Sequence, residues 1–450
     1  MNKRLIFLLF TSIVFQLRSI NVSALSFANT LIENTDSLRQ VKALEKLSRI
    51  KVSGYIQAQF QYADSSGQQT FNGGNFPVGV DKRFAVRRGR LKVQYDSKPL
   101  AKGWSFSQYV LQVDVTEKGI SLKDAYIKLT DPWMGWLNLT TGMQNRPFGY
   151  EISYSSSLRE SPERGRMSQI IFPGERDLGM MLTIQAPKFS QWNFIKVDAG
   201  MFNGTGVRNA GLDASDFDKI KDFIGRASVK KTILNERLSY EVGVSYYYGG
   251  FRIDTVGVYK TGVDVNGVKG FIQQYKKSDF YSVPLSNRKQ AYRKYYGLDA
   301  QLSINWLPGI TTIRCEYIAG EQPGFLSTTA SPAAINNADI YKRKFNGAYL
   351  YLLQNVGQTP LQAIIKYDWY DPNTEVKNSD IGSSVVSGKA FNATDLRYDT
   401  WGVGLAYRCD ENIKITAYYD IVKNEKSANL SGYQKDLKDN LFTLRIQAKF

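Results

Sequence analysis

The chain has 450 residues, 58 Lys and Arg against 41 Asp and Glu, a formal charge of +17 and no histidine. The missing histidine excludes a Ser-His-Asp triad, a histidine acid–base pair and a histidine zinc site; a carboxylate-only mechanism survives that exclusion, but no paired acids suggest one, and no enzyme, metal or cofactor is expected. Two cysteines exclude a disulfide-dense scaffold, and a mean hydropathy of -0.33 fits strands with one wet face.

Residues 1–24 read as a secretory leader. Lys3 and Arg4 form the positive start, Leu5 to Phe15 the apolar run, and Val22-Ser23-Ala24 the cleavage site. The run is too short for a spanning helix of roughly 20 residues. Without the leader's three cations the charge is still strongly positive. Residues 25–50 follow as a periplasmic segment in which Leu38, Val41, Leu44, Leu47 and Ile50 recur at helical spacing. This predicts a short amphipathic helix, with a brief coiled coil across a trimer as the alternative.

From residue 51 to 450 the apolar residues alternate with polar ones. Val52, Ile56, Ala58 and Phe60 oppose Tyr55, Gln57, Gln59 and Gln61, and Phe442, Leu444, Ile446 and Ala448 oppose Thr443, Arg445, Gln447 and Lys449. In water the apolar face would need a core, whereas in a membrane barrel it meets lipid and the polar face lines a wet lumen. The pattern predicts sixteen strands, starting near 51, 83, 105, 121, 135, 178, 193, 221, 236, 291, 310, 346, 361, 397, 412 and 440. Connectors alternate between short turns, such as Asp131-Pro132-Trp133, and long loops at 63–82, 148–177, 249–290, 320–345 and 371–396. That asymmetry predicts an all-β transmembrane antiparallel barrel with the short turns on the periplasmic side. Tyrosine and tryptophan runs, such as Tyr246-Tyr247-Tyr248 and Trp369-Tyr370, predict interfacial girdles.

The segment 148–177 is expected to fold into the lumen and narrow it. From Arg146 to Asp177 it carries five arginines and five acids, among them Arg164 and Arg166. Arg88, Arg90 and Lys92 lie two apart on one strand. Charges at the lipid midplane would cost about 2–4 kcal/mol each, so they must face the lumen. Parity puts Arg226, Arg314, Lys366, Arg445 and Lys449 there too, together with Asp114, Asp124, Glu241, Glu316 and Asp368. Cationic rings favour anions. The expected partners are small anionic or polar solutes and outer-membrane lipid. Nucleic acid is not expected, because the basic residues are spread through alternating strands.

Five segments in order, Val52 to Gln57, Phe84 to Leu91 (FAVRRGRL), Leu122 to Ile127, Gly142 to Glu151 (GMQNRPFGYE) and Phe202 to Gly206, resemble the phosphate-selective porin O/P family. Gln144 and Asn145 stand where the family pattern carries an aromatic residue and a lysine. The resemblance implies a sixteen-stranded trimeric outer-membrane porin of a Gram-negative bacterium, passing small solutes with phosphate or polyphosphate among them. It also implies Arg88, Arg90, Arg164 and Arg166 near the constriction. The competing expectation is a barrel serving as a surface adhesin or as part of a larger assembly, with a plugged lumen and binding loops such as 249–290.

Overall fold

The computed structural model describes residues 44–206, 219–253, 257–275, 290–331 and 338–450. The expected leader and most of the segment 25–50 lie outside these residues. At the start of the described chain, residues 44–47 form a helical turn, α1, beside which Arg49 and Glu45 pair at 2.6 Å.

From Val52 onward the chain forms one unit built almost wholly of strands. The first nine are β1 (Ile50–Ala63), β2 (Lys82–Asp96), β3 (Ser107–Thr116), β4 (Gly119–Thr130), β5 (Leu137–Asn145), β6 (Arg176–Gln185), β7 (Ile195–Phe202), β8 (Asp222–Ile233) and β9 (Leu238–Arg252). A hairpin of β10 (Val258–Val263) and β11 (Lys269–Tyr275) follows. The rest are β12 (Gln290–Trp306), β13 (Gly309–Gly324), β14 (Ile340–Asn355), β15 (Leu361–Asp371), β16 (Tyr398–Arg408), β17 (Ile413–Asn424) and β18 (Leu441–Lys449).

Leaving the hairpin aside, each strand pairs antiparallel with the next, β9 joins β12, and β18 pairs back onto β1 with Tyr55 opposite Lys449 and Ala63 opposite Leu441. The result is the closed sixteen-stranded barrel that the alternation predicts. Closure leaves no open edge, which is what a sheet in lipid requires.

Burial is inverted relative to a water-soluble domain. Gln57 and Gln61 are 2% and 0% exposed, while Ile56 and Leu298 are each 53% exposed. The apolar outer face carries aromatic clusters: Tyr246 lies 5.4 Å from Tyr296, and Tyr367 4.7 Å from Trp401. Tyr247 and Tyr295, their sequence neighbours in the tyrosine runs, are buried inside, so each of these runs is shared between the two faces. No helix among the described residues is long and apolar enough to cross a membrane.

The rim with long connectors has one exception, because β3 and β4 are joined through Glu117-Lys118 alone. The connector after β9 differs from the expected plain loop by containing the β10–β11 hairpin. Its first strand runs parallel to the start of β14, with Val258 opposite Ile340. Tyr259, Phe271 and Tyr341 pack there with Val376, Ile381, Phe391 and Leu396 from the connector after β15, making a small apolar core at the rim that carries the long connectors. The connector after β13 is shorter than expected, since β13 extends to Gly324 and β14 starts at Ile340.

The candidate pore lumen and its cationic cavity

The connector between β5 and β6 contacts the inner wall of the barrel. It opens with Arg146-Pro147-Phe148-Gly149. Gly149 has φ +59, and a Cβ there would fall on the Glu316 carboxylate, so only glycine lets the backbone lie this close to the wall. Glu316 accepts the amide hydrogens of Tyr150 and Glu151 at 3.1 and 2.9 Å. Further along, Arg166–Ile171 forms a short helix, α2, whose Met167 and Ile171, with Phe172 beyond, sit in an apolar cluster inside the barrel. Its partners on the wall include Ile224, Tyr247, Tyr295, Ile318 and Phe345. Part of the lumen wall is therefore dry, against the expectation of a uniformly wet inner face.

Between these two anchors the connector is tied to the wall by ions. Glu163 is met by three guanidinium groups: Arg87 Nε at 2.8 Å, Arg88 Nη2 at 2.6 Å and Arg445 Nη2 at 2.9 Å. Burial alone would raise the Glu163 carboxyl. Arg87, Arg88 and Arg445 overcome this and hold it well below its ordinary range. Arg314 pairs with Glu160 at 2.9 Å and lies over the Tyr154 ring at 4.4 Å. Burial, helped by Glu160, raises the Tyr154 hydroxyl pKa. Ser156 shares a hydrogen bond with Tyr55 at 2.6 Å, and Ser161 with Tyr351 at 2.6 Å.

On the other side of the connector, toward the short-turn rim, lies a cavity of about 710 Å³. Seven cationic side chains line it: Arg90, Lys92, Lys128, Arg164, Arg176, Lys196 and Lys449. Among the described side chains that line it, Asp124 is the one acid. Two further spaces of about 580 and 610 Å³ adjoin it, sharing Gln185 with it. The second of the three is lined by Arg226, Lys230 and Lys231 with Glu241.

The expected site residues fall into two groups. Arg90, Lys92 and Arg164 line the main cavity, and Arg226 the adjoining one. Arg88, Arg166 and Arg314 instead hold the connector or its surroundings. Arg88 is committed to Glu163 and Arg314 to Glu160, while Arg166 lies over the Tyr398 ring at 3.5 Å and the Phe71 ring at 4.7 Å. Even the lining arginines are engaged. Arg90 faces Asp114 at 3.4 Å, Arg164 pairs with Glu175, Arg176 with Asp124 at 2.9 Å, and Arg226 with Asp299 at 2.6 Å. By contrast, Lys92 and Lys128 enter no ion pair among the described residues.

Alternation alone misses Arg87. Both Arg87 and Arg88 reach Glu163, so two consecutive residues point inward and the period of two breaks at that step. Lys128, Arg176 and Lys196 also join the cavity without having been singled out.

No family model and no curated relative matches the sequence. Among solved structures, the outer membrane channel DcaP of Acinetobacter baumannii matches with a TM-score of 0.50 at 10% identity, over 89% of this chain and 97% of that one. The anion-selective porin from Comamonas acidovorans matches with a TM-score of 0.49 at 10% identity, over 89% and 99%. At such identity the likeness is one of fold and does not single out the phosphate-selective branch.

Proposed function

We propose that the chain is an outer-membrane porin, a passive diffusion channel for small polar solutes that prefers anions. The carrying observation is a closed barrel with an apolar exterior whose inner cavity sets seven cations against one carboxylate. Walls of low dielectric focus such a field on the solute inside. The proposal extends to delivery by the leader at 1–24, residence in the outer membrane of a Gram-negative bacterium and assembly as a homotrimer, on the strength of the sequence resemblance.

Within this reading phosphate is one anion among others. A selective tetrahedral site needs free guanidinium forks, and the forks of Arg88, Arg176, Arg226 and Arg314 are taken by carboxylates. The unpaired cations that line the main cavity are lysines, which attract as point charges.

The test is the zero-current potential across a KCl gradient with the purified chain in a planar bilayer. A chloride-selective potential is expected, and a cation-selective one overturns the anion preference. The competing reading, a surface-contact barrel, draws on the packed core of the β10–β11 hairpin, and absence of any conductance would favour it.

A further inference from the structure

We propose that the upper part of β2 is an open sheet edge that takes an extended, acidic peptide segment of a partner protein as an added strand.

Around its circuit the wall has no open edge, but at the rim of the long connectors one strand outgrows its neighbour. β2 begins at Lys82, whereas its ladder with β3 begins only at Arg90, opposite Asp114, because β3 turns back into β4 at Glu117-Lys118. On its other side β2 pairs with β1. Two bonds settle which main-chain groups look into the gap. Asp81 O accepts from Ala63 N of β1 at 2.8 Å, so Arg83 and Ala85, at alternate positions, also turn their N–H and C=O toward β1. Val86 N donates to the Glu117 carboxylate at 3.2 Å, on the opposite side. Lys82, Phe84 and Val86 therefore face the gap. Lys82 and Phe84 each present a donor and an acceptor there, and Val86 an acceptor, with no ladder partner among the described residues. The side chains record the same gap. Phe84 is 85% exposed, against 59% for Ile120, the next most exposed apolar residue in a described strand. Phe60 of β1 covers one flank of its ring, at 5.0 Å, and on the other flank no strand stands.

Donors and acceptors that alternate along an edge are matched by another extended main chain, whereas a lipid phosphate brings acceptors alone. Charge narrows the partner. From Lys82 to Arg90 the strand carries five cations and no acid. Lys82, which lies over the Tyr62 ring at 5.1 Å, and Lys118, in the turn below the gap, enter no ion pair among the described residues. Glu117, the acid beside them, is bonded to the Val86 amide. A fitting segment sets apolar residues opposite Phe84 and Val86, on the outward face, and an acid opposite Lys82. Each matched hydrogen bond is worth up to about tenfold in affinity.

The experiment reads the fluorescence anisotropy of labelled pentapeptides mixed with the full chain in detergent. The first is Val-Thr-Val-Thr-Glu-amide, which, laid antiparallel to β2, sets its valines opposite Val86 and Phe84 and its glutamate opposite Lys82. The second is the same peptide N-methylated at both valines, which removes the N–H groups that reach the Val86 and Phe84 carbonyls. The third ends in lysine instead of glutamate. The first is expected to bind about tenfold more tightly than either of the others. Equal binding by the N-methylated peptide overturns strand addition, and equal binding by the lysine peptide overturns the acidic partner. Binding by none of the three overturns the proposal in favour of a second copy of the chain covering the edge. Displacement of the first peptide by phosphatidylglycerol micelles overturns it in favour of a lipid headgroup. Phe84→Pro deletes an edge donor and leaves the bonds to β1, so it should remove the difference between the first two peptides, whereas Phe84→Ala should keep it. A difference that Phe84→Pro leaves intact is overturning. Should Phe84→Pro not assemble, the N-methyl comparison on the unaltered chain decides.

Discussion

The Arg88 guanidinium lies 2.6 Å from the Glu163 carboxylate, although 75 positions separate the two residues. Arg87 and Arg445 share the same carboxylate, so β2 and β18, far apart in the chain, are fastened to one point of the infolded connector. Three positive groups around one negative group hold only while that group stays charged.

Glu163→Gln should therefore free the connector. Breaking a buried pair by removing one partner costs about 3–5 kcal/mol, and here it leaves three guanidinium groups crowding one another. A lower melting temperature and a larger, noisier single-channel conductance are expected, with stronger chloride preference. Unchanged conductance would mean that the connector is held without Glu163.

Acid should act on the same point. The folded-state pKa of Glu163 is depressed below its ordinary value of 4.5, so its stabilisation is fully present above that value. It is lost progressively as the pH falls from there through the folded pKa. Conductance should hold steady from neutral pH down to about 5 and change only below the ordinary range. Single-channel recordings across that range test this, and in Glu163→Gln the acid transition should be missing.

The anion preference should follow the unpaired lysines. Changing Lys92 and Lys128 together to Glu alters the cavity charge by four units without touching a wall-to-connector ion pair. The zero-current potential in a KCl gradient should swing toward cations, with little change in melting temperature. A preserved chloride preference would move the selective section elsewhere in the lumen.

The dry anchor can be tested apart from the charged one. Phe172 is 1% exposed, with its ring 5.0 Å from that of Phe148 and 5.9 Å from that of Tyr247. Phe172→Ala should cost about 3–5 kcal/mol and loosen the connector, making it susceptible to protease added to reconstituted protein. Selectivity should change less than in the lysine variant.

How much of this was legible in the sequence depended on which surroundings each residue faces. Where one side of a strand meets lipid and the other side water, alternation is strong and the strand is readable, as in β1, β12 and β18. The start of β14 was expected near 346 and begins at Ile340, because Ile340 and Tyr341 are buried under the hairpin and lose the contrast between faces. The hairpin itself packs on Tyr341 and on the connector after β15, and carries no such contrast over its short strands. Lumen-facing cations followed from parity, with Arg87 as the departure at a local irregularity. What parity does not contain is pairing: that Arg88 is spent on Glu163, Arg314 on Glu160, and that Lys92 is left over depends on contacts between residues distant in the chain.

The seam between β1 and β18 has a consequence for the order in which this molecule is made. It joins positions nearly four hundred residues apart, such as Gln57 and Gln447, whereas the other wall strands pair with sequence neighbours or across the hairpin. Bringing such distant positions together carries the largest loop-closure entropy in the barrel, so the seam is expected to form last. Until it does, two rows of unpaired backbone groups face outward, and neither lipid nor a half-built sheet can satisfy them. A chain stalled before residues 441–449 would have all but one of its wall strands and still have no way to rest in a bilayer.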